Sequence, residues 1–303
     1  IKNSPKHLLG IQNLSILEAK KILNEAKNFI KLNRSNTKKL NTLRGKTQIN
    51  LFFEPSTRTQ SSFDLAGKRL GADVMTMNMS NSALKKGETL IDTAMTLNAM
   101  HPDLIVIRHQ DSGAPNLLSQ KVNCAVINAG DGTNEHPTQA MLDYCLIKEI
   151  FRNRKIKIGI CGDIKHSRVA HSNIKLLSKT GHEVHVIAPS YFLNKNEIKK
   201  INNKVVFHKN LNSIKKLDIL MMLRVQKERI PKGSKNMMTS FKRDFCLRNK
   251  HLLNMPYLMH PGPVNRNIEI SDEVLDNYPK SLILRQVEMG VYLRMACLKY
   301  ILK

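Results

Sequence analysis

The strongest constraint on what this chain can fold into is an alternation that begins at residue 49. The apolar run 49–53 reads as a buried strand. It breaks at Pro55, and a helical pattern of Phe63, Leu65, Ala66 and Leu70 then runs to Gly71, a residue suited to ending a helix. Strand patterns recur at 73–77, 104–107, 125–127, 156–161, 183–187, 205–207, 219–223 and 257–259, with helical stretches between most of them. Such alternation predicts parallel sheets covered by helices on both faces. Ser15 with Glu18 forms a capping box ahead of a first helix, and residues 286–302 read as one long apolar-faced helix.

At 303 residues the chain is long for one core and natural for two domains. The expected fold is α/β: two doubly wound parallel-sheet domains, 1–149 and 150–285, with a C-terminal helix (286–303) packing back on the first. No apolar run approaches the roughly 18 residues of a membrane span, and no signal-peptide layout opens the chain, so no membrane role is expected. Five scattered cysteines without paired spacing suggest reduced thiols and a cytoplasmic setting rather than a disulfide framework. The formal net charge is +25, but lysines are spread along the chain and aromatics make up only 5%. A nucleic-acid binder would concentrate its basic residues in a patch interleaved with aromatics, so no nucleic-acid role is expected.

Between the first strand and its helix lie Ser56, Thr57, Arg58 and Thr59. A helix N-terminus offers backbone N–H groups and the positive end of the dipole, which attract an anion, and Arg58 adds a planar fork suited to phosphate. The competing reading is that the hydroxyls merely cap the helix and Arg58 is a surface charge. Polar clusters also follow the later strands: Arg108-His109, then Asn128 to Asp131 with His136-Pro137-Thr138-Gln139, Gly162 to Arg168, Arg224 to Arg229, and His260 to Arg266. Open α/β sheets bind ligands at that end of their strands. His136 before Pro137 is also a capping candidate, and Glu228 with Arg229 could be only an exposed ion pair. The histidines 166, 171, 182 and 185 lack a convincing metal spacing, and neither a dinucleotide-type glycine pattern nor a Walker lysine occurs.

Taken together these stretches resemble the catalytic subunits of the aspartate carbamoyltransferase family, over essentially the full length. The motifs that carry the resemblance are FFEPSTRT at 52–59, KKGET at 85–89, HPTQ at 136–139, RVQKER at 224–229 and HPGPVNR at 260–266. RVQKER and the absence of His-Cys-Leu-Pro separate the chain from the ornithine relatives. The resemblance implies transfer of a carbamoyl group from carbamoyl phosphate to L-aspartate, with no cofactor and no metal.

Carried over residue by residue, Ser56, Thr57, Arg58 and Thr59 bind the phosphate. Arg108 reaches phosphate too, and with Thr59 and His136 approaches the carbamoyl oxygen. Gln139 and the backbone carbonyls at Gly262 and Pro263 hold the carbamoyl NH2. Arg168, Arg224 and Gln226 clamp aspartate. The resemblance further implies a homotrimer with shared sites, in which Ser82 and Lys86 reach the neighbouring subunit's carbamoyl phosphate and Lys86 also meets aspartate. Arg58, Thr59, Arg108 and His136 are the expected catalytic set. Fixed donors at the carbonyl oxygen stabilise the charge that grows there, and the leaving phosphate accepts the amine's proton, so His136 is expected as a neutral donor.

Domain closure on aspartate is expected to exclude water. A regulatory chain stays an open alternative, although the HPGPVNR form looks more like relatives that work as bare trimers. Two rival readings remain: another carbamoyltransferase sharing the phosphate half, and a non-catalytic basic binding protein. Gly262 departs from relatives that often carry a side chain there, and the chain begins at Ile1 rather than Met, so some N-terminal residues are expected to be missing.

Overall fold

The structure is a computed structural model, and it describes residues 6–33, 35–79, 89–213, 216–230, 235–252 and 254–303. The elements run α1 (Ile16–Asn33), β1 (Thr47–Phe52), α2 (Thr57–Leu70), β2 (Asp73–Asn78), α3 (Leu90–Asn98), β3 (Leu104–His109), α4 (Ala114–Ser119), β4 (Ala125–Asp131) and α5 (Pro137–Phe151). They continue through β5 (Lys157–Cys161), α6 (Arg168–Lys179), β6 (Glu183–Ile187), α7 (Lys195–Ile201), β7 (Val206–His208), β8 (Ile219–Met222), α8 (Lys235–Phe245), β9 (Tyr257–Met259), α9 (Asp272–Asn277) and α10 (Ile283–Leu302). The chain divides into two compact units, Ile1–Cys145 with Val287–Lys303, and Leu146–Gln286.

The first unit holds a parallel sheet in the order β2-β1-β3-β4, in register from Phe52↔Arg108 on one side of β3 to Ile107↔Asn128 on the other. Strands β1, β3 and β4 are buried almost throughout, as a sheet covered on both faces requires, while the edge strand β2 stays partly exposed; Ile49, Leu51, Ile105, Ile107 and Val126 form the core of one face. The chain leaves β1 towards β2 and leaves β3 towards β4, so the order reverses between β1 and β3. Residues of α10 close this unit: Tyr292, Leu293, Met295 and Ala296 are fully buried, and Tyr300 donates its hydroxyl to Glu18 of α1 at 2.9 Å.

The second unit repeats the plan with five parallel strands in the order β7-β6-β5-β8-β9, reversing between β5 and β8. Phe192, Leu220, Met222, Phe241 and Leu258 are among its core residues.

Local signals explain several boundaries. Ser15 and Glu18 exchange backbone N–H bonds at 3.0 and 3.1 Å, the reciprocal arrangement that starts α1. Gly71 ends α2 at φ 86°, and a Cβ there would stand 2.6 Å from the Leu40 carbonyl oxygen, so both conformation and space call for glycine.

Candidate active site

In the first unit the polar residues gather at the carboxyl ends of β1, β3 and β4, on either side of the reversal where doubly wound sheets hold ligands. Ser56 is the N-cap of α2, with extended φ of −159°, yet its side chain makes no capping hydrogen bond. Thr89, Ser167, Asn194 and Ser271, at the starts of α3, α6, α7 and α9, each accept a first-turn N–H. The α2 terminus is therefore not served by its own hydroxyl, which weighs against the capping reading of this stretch. Thr57 and Arg58 are exposed beside it, and Thr59 is buried.

Arg108 sits next to that turn because β1 and β3 pair in register: the Phe53 N–H donates to the Arg108 carbonyl at 2.9 Å. Its guanidinium is held by Glu54 (Nε to Oε2, 3.3 Å) and by the Ala129 carbonyl (Nη1, 3.4 Å). His136 precedes α5 and is buried. The turn that presents it is pinned by Asp131, whose carboxylate accepts from the backbone N–H groups of Gly113 and Glu135 and from the side chains of Asn128 and Asn134, at 2.7 to 3.1 Å. Gln139 lies on the first turn of α5 and donates its amide N–H to Asp143 at 3.0 Å.

In the second unit the corresponding strand ends carry the other candidates. Arg168 opens α6 and is buried; Ser167 caps that helix by accepting the Ala170 N–H at 3.1 Å. Arg224 follows β8 and is clasped by Glu228 through both terminal nitrogens, at 2.6 and 3.0 Å. Glu228 thus pairs with Arg224, and the charge of Arg229 also acts on it. Burial raises the Glu228 carboxyl, but the bonds and charge of Arg224, a backbone N–H and the charge of Arg229 together hold it below its ordinary range. Gln226 donates its amide to the His166 carbonyl at 2.6 Å and its backbone N–H to Asp163 at 3.3 Å. Asp163 is fully buried, and burial raises its carboxyl despite the His166 ring 2.9 Å away.

After β9, Gly262 adopts φ 70° and joins Pro263 by a cis peptide; its N–H donates to the His260 ring at 2.8 Å. Glu269 is wholly buried and accepts from Val225 N and from the side chain of Asn265, tying the loop after β8 to the loop after β9. Ser82 and Lys86 lie outside the described residues.

Three of the four histidines weighed for a metal have other roles. His166 faces Asp163, His182 accepts the Ile156 N–H at 3.3 Å, and His185 stands between His208 and Glu183, 2.8 Å from each. Four carboxylates with clear positions were not singled out in the sequence: Glu54, Asp143, Asp163 and Glu269. Two carried a local signal, since Glu54 lies inside the hydroxyl-rich turn and Asp143 stands one helical turn after Gln139.

The carbamoyl-P binding domain of the aspartate/ornithine carbamoyltransferases matches residues 6–149, and the Asp/Orn binding domain of the same family matches residues 154–301. An aspartate carbamoyltransferase catalytic subunit from Pelagibacter ubique is 61% identical, covering 99% of this chain and 96% of its own length. One from Parvibaculum lavamentivorans is 52% identical, covering 97% of this chain and 90% of its own. Among solved structures, aspartate transcarbamoylase from Trypanosoma cruzi in complex with carbamoyl phosphate and aspartate superposes with a TM-score of 0.87 at 30% identity, covering 99% of this chain and 98% of that one. The catalytic subunit of M. jannaschii aspartate transcarbamoylase gives a TM-score of 0.86 at 36% identity, covering 98% and 97%.

Proposed function

The chain belongs to the aspartate/ornithine carbamoyltransferase family, and we propose that the two polar clusters divide the reaction between them. It is a transferase: it moves the carbamoyl group of carbamoyl phosphate to the α-amine of L-aspartate, giving N-carbamoyl-L-aspartate and phosphate, in pyrimidine synthesis. The observation that carries the assignment of the phosphate site is the start of α2, where the N-cap hydroxyl leaves the first-turn N–H groups to another acceptor.

Ser56, Thr57, Arg58 and Thr59 bind the phosphate at that terminus. Arg108, steered by Glu54, reaches the same phosphate and, with Thr59 and His136, donates to the carbonyl oxygen as charge grows on it; such fixed donors are worth roughly 3–4 kcal/mol each in acyl transfer. Gln139 accepts from the carbamoyl NH2, as do the carbonyls at Gly262 and Pro263. Arg168, Arg224 and Gln226 take the carboxylates of aspartate, which competes with Glu228 for the Arg224 fork. Residues 1–149 with the C-terminal helix form the carbamoyl-phosphate half, and residues 150–285 the aspartate half. The leaving phosphate takes the amine's proton, so no side chain need act as a general base.

The working form is a cytoplasmic homotrimer in which Ser82 and Lys86 serve the neighbouring subunit's site. Among the described residues no helix is long and apolar enough to cross a membrane.

The test is steady-state formation of carbamoyl aspartate by the purified chain, with ornithine in a parallel assay and Arg58→Ala as control. Turnover with aspartate alone, lost in the variant, supports both the reaction and the phosphate site. Turnover with ornithine would mean that the Arg224–Arg229 loop has been misread.

A further inference from the structure

A primary amide has two chemically opposite ends, an NH2 that donates and an oxygen that accepts. The carbamoyl NH2 is itself a donor, so a glutamine that recognises it must present its oxygen. Nothing in the Gln139 side chain alone enforces that orientation. An ionised carboxylate, which only accepts, can enforce it from behind.

We propose that Asp143 is a positioning residue for the transfer: by taking the Gln139 N–H it turns the Gln139 amide oxygen towards the carbamoyl NH2. The inference rests on the reading of Gln139 given above. The two residues are one helical turn apart on α5, and Gln139 Nε2 lies 3.0 Å from Asp143 Oδ1. Both are buried, Asp143 completely. A swap of the amide ends would set oxygen against oxygen in a site that water does not screen.

A carboxylate buried so deeply favours a nearby positive charge, and the buried Arg294 guanidinium of α10 acts on it electrostatically. Its guanidinium is also buried, lies 5.0 Å over the Phe63 ring and donates to the Gly290 carbonyl at 3.2 Å. Gly290 leaves the room for it, since a Cβ there would stand 2.7 Å from Arg294 Nη1. Burial lowers the guanidinium to about 10, with Asp143 acting in the opposite direction, so at neutral pH Arg294 carries its charge.

The test uses the full chain and two ligands that differ at one group: carbamoyl phosphate, and acetyl phosphate, in which a methyl replaces the NH2. The KM for the first and the inhibition constant of the second are measured for wild type, Asp143→Asn, Gln139→Ala and the double variant. Asp143→Asn keeps the shape but lets the amide turn. It is expected to weaken carbamoyl phosphate about tenfold while acetyl phosphate changes less than about twofold, and to add nothing in the Gln139→Ala background.

Equal weakening of both ligands, no change in either, or a full additional loss in the Gln139→Ala background would overturn the proposal. Gln139→Ala leaving the discrimination intact would instead sink the reading of Gln139 itself, and with it the role given to Asp143. If Asp143→Asn does not fold, Asp143→Asn with Arg294→Gln removes both buried charges together, and the same ratio is read from it.

Discussion

Arg108 and Glu54 face each other across paired strand ends, Nε to Oε2 at 3.3 Å, with both side chains largely shielded. The carboxylate fixes the fork of an arginine whose task is to meet a phosphate and a carbonyl oxygen together. Glu54→Ala leaves Arg108 in place but unsteered. Turnover is expected to fall by about tenfold to a hundredfold, the scale on which misplaced donors cost rate. Steady-state formation of carbamoyl aspartate reads this; a variant as fast as wild type would show that Arg108 needs no steering.

Arg58 is exposed at the start of α2, so its loss should not disturb the fold. Arg58→Ala is expected to keep the wild-type melting temperature, within the roughly 0.5 kcal/mol usual for surface changes. It should lose about a hundredfold or more in turnover, as removal of one transition-state donor does. A matched loss of stability and activity would relocate Arg58 from the site to the scaffold.

Gly71→Ala tests the junction between α2 and β2. The residue sits at φ 86° with its Cβ direction 2.6 Å from a backbone oxygen, which cannot swing away as a side chain could. The expected cost is about 1–3 kcal/mol or more from the strained conformation and the clash together. Chemical denaturation measures it, and an unchanged midpoint would contradict the geometry.

His182 gives a pH prediction. Burial, with Lys155 and Lys148 adding to it, lowers the imidazole from its ordinary value to about 4. The folded state thus prefers the neutral ring, which accepts the Ile156 N–H. Its contribution to stability is complete above the unfolded-state value near 6.5 and is lost as pH falls from there towards 4. The loss amounts to roughly 2–3 kcal/mol across that window. His182→Gln keeps an acceptor but does not titrate, so its denaturation midpoint should fall less steeply between pH 6.5 and 4.5; parallel curves would refute the assignment.

Most strand positions were legible in the sequence because they are short apolar runs that a covered parallel sheet demands. β6 (Glu183–Ile187) and β9 (Tyr257–Met259) have the bounds that the pattern predicts. α4 left no comparable signal: six residues long, it starts after the left-handed Gly113, with a proline in its first turn. α10 begins at Ile283, three residues before the start that the periodicity predicts, because its first turn exposes Leu284 and so breaks the apolar pattern.

The candidate site was legible in residue type, since hydroxyls and an arginine at a strand-to-helix turn are neighbours in the chain. Its pairings were not. Arg108 with Glu54 depends on the β1–β3 register, and Gln226 with Asp163 and His166 depends on β5 lying beside β8. Register comes from matching the buried faces of two strands distant in the chain, so the spacing within either strand alone does not reveal it.

The first compact unit takes its residues from both ends of the chain, with the second unit contained between them. A ribosome therefore delivers the whole of the inner unit before it delivers Tyr292, Leu293, Met295 and Ala296, the side chains that α10 buries in the outer one. Until those last residues emerge, the nascent chain holds α1 and α2 with an uncovered apolar face, although they were made first. Order of synthesis and order of completion are thus reversed: the unit that is begun first is closed after the one made inside it.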